Sequence, residues 1–409
     1  MSESRNRICI LGGGFGGLYT ALRLSQLPWD HHGIPEITLV DQRDRFLFTP
    51  LLYELLTGEL QTWEIAPPFT EILADTSIQF VQGTATDINV KTQQVQLADQ
   101  APLNYDSLVL AIGGRTPMEM VPGAAEFAFP FHSLEDAYHL EEKLRFLEQS
   151  NPDKIRIAIV GGGYSGVELA CKLRDRIEDS VSLRDNRVGN RARIRIVERG
   201  EMILKTSPDF NRETAQKALS DRQIWIDTET SVEAITKDEI TLLYKGQSDV
   251  IPVDIVAWTV GTSVSELIKN LDIPHHETGK IEVEPTLQVE GHPAIFALGD
   301  LAFCRDASGK VVPATAQVAF QQSDYCAWNV WASLTGRPLL PFKYYNLGEM
   351  LVLGTDNATL TSQGVKLDGI AAYLARRLAY LSRMPTPEHQ LTVGSNWITQ
   401  PFSKLLSNV

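Results

Sequence analysis

Two short runs of the chain carry the same arrangement of unbroken apolar residues followed by glycine. Ile8-Cys9-Ile10-Leu11 opens into Gly12-Gly13-Gly14-Phe15-Gly16-Gly17, and 149 residues later Ile157-Ala158-Ile159-Val160 opens into Gly161-Gly162-Gly163-Tyr164-Ser165-Gly166. Eight of the seventeen positions in 8–24 and 157–173 are identical. Apolar runs with no polar position, bounded by glycine, read as strands buried on both faces of a parallel sheet. Residues 15–27 follow with helical spacing and 36–40 with another buried-strand pattern, which makes a first βαβ unit. A second unit runs from 155 to 198 and includes the charged stretch 172–195. Short alternating segments at 78–81, 87–90 and 94–97 lead to a buried-strand pattern at 108–112 that enters Gly113-Gly114. The Pro/Gly-rich stretch 115–123 reads as a crossing between domains, and 135–149 as an amphipathic helix. Strand patterns at 224–226, 232–236, 240–243 and 255–260 complete an inserted domain, and near Thr286 the chain returns to the first one. The alternation predicts an α/β fold with two Rossmann-like dinucleotide-binding domains. The expected division is 1–120 with 285–345, then 121–284 inserted, and a small third region at 346–409.

The glycine loops imply chemistry as well as turns. Gly12, Gly14 and Gly17 satisfy G-x-G-x-x-G, and so do Gly161, Gly163 and Gly166. Missing side chains permit a tight turn, close approach of a pyrophosphate and helix–sheet packing, and the helix N-terminus favours negative charge. An acid ending the next strand is expected to bind ribose hydroxyls, and Asp41 and Glu198 stand there, 24 and 32 residues past the last glycine. A carboxylate repels a 2′-phosphate, so Glu198 favours NADH, while Arg193, Arg195 and Arg199 leave NADPH open. Two dinucleotides in one chain point to electron transfer between them. Gly299-Asp300, ending the strand pattern 294–298, suits a contact to the ribityl chain or pyrophosphate of a flavin. Glu168 reads two ways: as a carboxylate favoured by the helix dipole in the first helical turn, or as a group at the nicotinamide–flavin junction.

Composition narrows the classes. A net charge of −14 argues against a nucleic-acid partner, since phosphate binding needs a basic surface. Cys9, Cys171, Cys304 and Cys326 are far apart and form no C-x-x-C pair, which argues against disulfide reduction. No His/Cys cluster has metal-ligand spacing, and His31-His32 and His275-His276 lie beside turn prolines, so no metal is expected. The chain enters its first strand after six residues, without an apolar signal region, and no run of ~18 apolar residues occurs. The expectation is a cytoplasmic chain.

These residues resemble a family, the type II NAD(P)H:quinone oxidoreductases, over nearly the whole length. Besides the two loops, the resemblance rests on Phe48-Thr49-Pro50-Leu51-Leu52-Tyr53 with Thr57-Gly58, on Ala257-Trp258-Thr259-Val260-Gly261, and on Phe296-Ala297-Leu298-Gly299-Asp300. Its most specific element is Pro313-Ala314-Thr315-Ala316-Gln317-Val318-Ala319-Phe320-Gln321-Gln322, similar to the family's A-Q-x-x-x-Q quinone motif. The resemblance implies FAD on Gly12, Gly14, Phe15, Gly17, Asp41, Gly299 and Asp300, with NADH or NADPH on Gly161, Gly163, Gly166 and Glu198. It also implies a quinone near Gln317 and Gln321, with Glu168 serving orientation or proton transfer. The segment 371–381, with Arg383-Met384-Pro385-Thr386-Pro387-Glu388-His389 and Val393-Gly394-Ser395-Asn396-Trp397, resembles the branch of cyanobacterial and plastid demethylphylloquinone reductases. That branch reduces a prenylated naphthoquinone during phylloquinone synthesis. The rivals are a respiratory NADH:plastoquinone or menaquinone reductase, a sulfide:quinone reductase, and a non-catalytic flavin-binding redox sensor.

The same C-terminal segment has amphipathic spacing. Leu367, Ile370, Ala371, Leu374, Leu378 and Leu381 share one helical face, with Arg376 and Arg383 opposite and Trp397, Phe402, Leu405 and Leu406 beyond. This reads as a membrane foot, or as a packed or dimer-forming helix. The resemblance implies the foot, hence a peripheral protein on the cytoplasmic side of a plasma or thylakoid membrane, and homodimers are common in the family.

Overall fold

The computed structural model describes residues 5–29, 33–150, 152–182 and 191–407, with backbone alone at 180–182 and 400–407. His31 and His32, and the side chains of Phe402, Leu405 and Leu406, lie outside that description. The chain forms two compact units. The first is Met1–Phe48, Ala66–Arg115 and Thr262–Tyr345; the second is Thr49–Ile65, Thr116–Gly261 and Asn346–Val409.

At the centre of the first unit lies the strand Arg7–Leu11, paired in parallel with Glu36–Asp41 on one side and Ser107–Leu110 on the other. Ile78–Gln82 and His292–Ala297 extend this parallel core outward. Three short strands at one edge, Gln288–Val289, Ile281–Val283 and Ala302–Cys304, complete eight. Ile8, Cys9, Ile10, Leu11 and Leu108, Val109, Leu110 are all buried, as an unbroken apolar run between covered faces requires. The second unit repeats the plan with five parallel strands in the order Trp225–Asp227, Ala192–Val197, Ile155–Val160, Ile255–Trp258 and Ala128–Pro130.

The repeat extends beyond the glycine loops. In each unit a strand–helix–strand is followed by a third parallel strand, a three-stranded antiparallel meander and a return to the strand beside the first. The meanders are Ala85–Asn89, Gln94–Leu97 and Leu103–Asn104 in the first unit, and Thr230–Ile235, Glu239–Tyr244 and Gln247–Pro252 in the second. The topology is thus duplicated where the residues no longer are.

These boundaries differ from the sequence expectation in two respects. The first unit resumes at Thr262 rather than 285, because the short strand Ile281–Val283 pairs with Ala302–Cys304 of the same sheet. Residues beyond 345 do not stand apart as a third body. They join the second unit as a three-stranded sheet, Glu349–Val352, Ala358–Ser362 and Val365–Asp368, followed by helices Gly369–Leu381 and Pro387–Ser407. A buried cluster of Val352, Ala358, Ala372 and Tyr373 closes this sheet on the first of those helices.

Candidate functional site

In the first unit, Gly12 has φ +101°, and a Cβ there would meet Ile112 Cα at 2.7 Å. A Cβ on Gly17 would collide with the Gly12 carbonyl oxygen, so this position admits only glycine. Gly14 differs: nothing lies within 4 Å of where its Cβ would be. The turn therefore needs Gly12 and Gly17, while Gly14 leaves open space at the amino end of helix Phe15–Gln26. That end has no acidic residue in its first turn and no side-chain cap. Unsatisfied amides and positive dipole face the opening, as an anion-binding terminus requires.

Asp41 ends the next strand, buried, and its carboxylate accepts from Gly13 N at 2.6 Å and Arg43 N at 2.8 Å. It clasps the glycine loop to the second strand. Beside it a cavity of about 250 Å³ opens at the carboxyl ends of the strands, lined by Gly12, Asp41, Arg43, Gly83, Gly113 and Arg115 among others. Strands on its two sides run off in opposite directions from the central one, so the cavity sits at a topological switch point. An open glycine cradle, a carboxylate and this cavity fit the ADP half of a dinucleotide.

Gly299, at φ +76°, turns the chain from strand His292–Ala297 into Asp300, and its amide donates to Gln322 Oε1 at 2.8 Å. Gln322 is buried in helix Ala316–Thr335 and was not singled out from the sequence. Its signal was available, as the residue following the A-Q-x-x-x-Q pattern. Thr315 caps this helix by accepting from Val318 N. The helix packs along Phe15–Gln26 through Tyr19 and Phe320, whose ring centroids are 4.8 Å apart, and Phe15 stacks edge-on with Phe46 and Phe48.

Gln317 and Gln321 both face the segment at Tyr344 and Tyr345. Gln317 Oε1 accepts from the Tyr344 hydroxyl at 2.9 Å. Gln321 brackets the Tyr345 backbone, donating to its carbonyl at 2.9 Å and accepting from its amide at 3.1 Å. The resemblance implies that both amides reach a substrate; here the Gln321 amide is engaged at both ends by backbone, and Tyr344 and Tyr345 stand against the two glutamines.

The second unit builds the same clasp from different residues. Gly161 has φ +112°, and a Cβ on Gly166 would collide with the Gly161 carbonyl oxygen; Gly163 is open. Glu198 accepts from Gly162 N at 2.7 Å and Gly200 N at 2.6 Å, the counterpart of Asp41. The neighbouring arginines are placed differently from one another. Arg195 pairs with Asp227 at 3.0 Å and Arg193 lies over the Trp225 ring. At ~3.3 Å per strand residue, Arg193 sits roughly 17 Å down the strand from Glu198. That distance removes it as a partner for a 2′-phosphate there. Exposed Arg199 adjoins the acid.

Glu168 is not in the first turn of helix Tyr164–Ser182, which holds no acidic residue, so the dipole reading fails. It lies one turn in, buried, and accepts from Val352 N at 2.9 Å. Burial pushes its carboxyl up to about 7, against the opposing pull of Arg376 and the Val352 amide. Around it in the same unit stand further buried ions. Arg376 is fully buried, paired with buried Glu54 and donating to Pro50 O at 2.6 Å. Lys172, also buried, pairs with Glu59, whose carboxylate accepts from Tyr373 Oη at 2.6 Å. Burial raises Glu59, but Lys172 outweighs it and holds the carboxyl below the usual range.

Arg376 therefore does not sit on a solvated polar face, as the amphipathic pattern implied. The face opposite the apolar stripe turns inward, with Ala372, Tyr373 and Arg376 buried. The stripe itself is open: Ile370, Leu374 and Leu378 are 63%, 54% and 67% exposed, joined by Leu391 and Ile398 on the following helix. That second helix is pinned by buried Glu64, which accepts from Asn396 Nδ2 at 3.0 Å and Trp397 Nε1 at 2.9 Å, while His389 Nε2 bonds the Glu64 carbonyl oxygen at 2.8 Å. Among the described residues no helix is long and apolar enough to cross a membrane.

All four cysteines are buried and free, and burial pushes each thiol up to about 12. None offers a reactive thiolate. Among the described residues no His/Cys/Asp/Glu group could hold a metal ion. His275 Nε2 bonds the Ile268 carbonyl oxygen and His276 stacks on Phe303.

Comparison with known proteins agrees with this arrangement. The model of the pyridine nucleotide-disulphide oxidoreductase family matches residues 6–323. The chain is 59% identical to the demethylphylloquinone reductase NdbB of Synechocystis sp., covering 100% of this chain and 99% of that protein. It is 42% identical to an alternative NAD(P)H-ubiquinone oxidoreductase C1 of Arabidopsis thaliana, over 97% of this chain and 81% of that one. The fold is that of the NDH2 of Plasmodium falciparum solved in complex with NADH, with a TM-score of 0.86 at 19% identity, covering 97% of this chain and 98% of that one. The chain belongs to the pyridine nucleotide-disulphide oxidoreductase family and, within it, to the type II NAD(P)H:quinone oxidoreductases.

Proposed function

We propose that the chain is an FAD-dependent NAD(P)H:quinone reductase whose substrate is a prenylated demethylnaphthoquinone, the class named for its 59%-identical relative. The observation that carries the reading is the duplicated acid-clasped glycine loop, each copy with one glycine left open. FAD belongs to the first unit, on Gly12, Gly14, Phe15, Gly17, Asp41, Gly299 and Asp300. NAD(P)H belongs to the second, on Gly161, Gly163, Gly166 and Glu198. Bound there, FAD supplies the two-electron acceptor that takes a hydride from NAD(P)H and passes the electron pair to a quinone.

The chain's own residues bind, orient and hold protons. The helix amino ends at Phe15 and Tyr164 neutralise pyrophosphate charge. Glu198 prefers a free 2′-hydroxyl, so NADH is the better cosubstrate. Gln317 and Tyr344 form a hydrogen-bonding pair suited to a quinone carbonyl, and Gln321 positions them by fixing the Tyr345 backbone. Glu168, poised near neutrality, holds or releases a proton at its carboxyl. The exposed stripe Ile370, Leu374 and Leu378 rests on a lipid surface, where a prenyl-quinone resides.

Sulfide oxidation is disfavoured because all four thiols are buried and spaced apart. A respiratory reductase stays as the second reading, favoured by the ubiquinone named for the 42%-identical relative. Turnover on a demethylnaphthoquinone analogue against a plastoquinone analogue separates them: the first reading expects at least a tenfold preference for the naphthoquinone in kcat/KM, and parity contradicts it. Gln317→Ala is expected to raise the quinone KM about tenfold while flavin reduction by NADH keeps its rate. Equal damage to both half-reactions would remove Gln317 from the quinone site.

A further inference from the structure

The second unit holds a cavity that the nucleotide does not use. About 280 Å³ in volume, it lies over the amino-terminal halves of the parallel strands, the end away from Gly163 and Glu198. Lys154, Arg156, Arg193 and Arg195 line it together with Trp225 and Pro252, and among the described residues no carboxylate lines it. Four cations in one cavity are unexpected in a chain of net charge −14.

Two of the four are matched. Arg195 pairs with Asp227 at 3.0 Å, and Arg156 lies 3.8 Å from Asp254, which also accepts its backbone amide at 2.7 Å. Lys154 and Arg193 have no carboxylate within 4 Å among the described residues. The Arg193 guanidinium sits 5.6 Å from the ring centroid of Trp225, a tryptophan left 48% exposed. An exposed tryptophan offers a stacking face, and the guanidinium beside it a flat, bidentate cation. Ile157, Ile251 and Val253 supply apolar walls.

We propose that this cavity binds a small planar aromatic anion, its ring against Trp225 and its carboxylate on Lys154 and Arg193. Sites for drug-sized ligands run from ~300 to 1,000 Å³, so the volume suits one or two fused rings. Strand geometry separates the site from the glycine loop, so occupancy is independent of the nucleotide.

The test is isothermal titration of the FAD-loaded full chain with 2-naphthoate, with and without saturating NAD⁺. One molecule is expected per chain, with 2-naphthalenemethanol and acetate each at least tenfold weaker. Trp225→Ala and Arg193→Gln are each expected to weaken binding at least tenfold while flavin content and its reduction by NADH stay unchanged. Absence of binding, displacement by NAD⁺, or undiminished affinity in either variant would overturn the proposal.

Discussion

At the scale of single residues, the two loops separate glycines that shape the turn from glycines that leave room. A Cβ on Gly17 meets backbone, whereas one on Gly14 meets nothing. Gly17→Ala is therefore expected to cost more than about 2 kcal/mol of stability, read by thermal unfolding. Gly14→Ala keeps the melting temperature of the flavin-free protein but weakens FAD retention tenfold or more, read by flavin absorbance after gel filtration. Similar losses of stability in both variants would contradict the distinction. Both roles were legible in the G-x-G-x-x-G spacing, and so was the acid that ends the next strand. The clasp that Asp41 and Glu198 make on their own loops was not, because a carboxylate bonding a backbone amide leaves no mark in residue spacing. Glu168 shows the other limit. That it lies on the helix followed from the motif, but not that it stands a turn in, nor that its carboxylate accepts from Val352 N, 184 positions away. With a folded value near 7 against an ordinary 4.5, Glu168 is protonated more readily when folded. It contributes stability that is full below about 4.5 and lost as pH rises through about 7. Glu168→Gln is expected to gain stability relative to the parent as pH rises across that window, and to lose the inflection near pH 7 in kcat/KM. An unchanged inflection would assign it to another group.

At the scale of elements, helix Gly369–Leu381 is apolar outward and ionic inward. A buried ion pair contributes little net stability, but removing one partner strands the other. Arg376→Ala is expected to destabilise by roughly 3–5 kcal/mol, read by denaturant unfolding, while the double change Glu54→Gln with Arg376→Met recovers most of the loss. No recovery would mean that the pair is not isolated from its neighbours Lys172 and Glu59. The outward stripe behaves independently. Leu374→Lys with Leu378→Glu is expected to abolish co-sedimentation with anionic and neutral vesicles without moving the melting temperature; retained sedimentation would contradict lipid docking. The apolar face of this helix was legible from its period. The inward arginine was not, since periodicity assigns a cation to the solvent side and its partner, Glu54, sits 322 positions earlier. The motif around His389, Asn396 and Trp397 likewise acquired its meaning only from Glu64.

At the scale of the molecule, each unit repeats one plan: a central strand, an acid-clasped glycine loop, a meander and a return strand. Sequence identity marks only eight of the seventeen positions around the two loops, because the rest of the plan requires hydrophobic pattern rather than particular residues. The return of the chain to the first unit at Thr262 was missed for the same reason: Ile281–Val283 is too short to carry a period of its own. A duplicated dinucleotide site predicts two separable half-reactions. Anaerobic stopped-flow at the flavin absorbance band tests it directly, mixing the purified protein first with NADH and then with a demethylnaphthoquinone analogue. Fast bleaching followed by fast recovery is expected, with NADH at least tenfold more effective than NADPH. Bleaching without recovery would contradict the quinone assignment, and the absence of a flavin band would contradict the reading of the first unit.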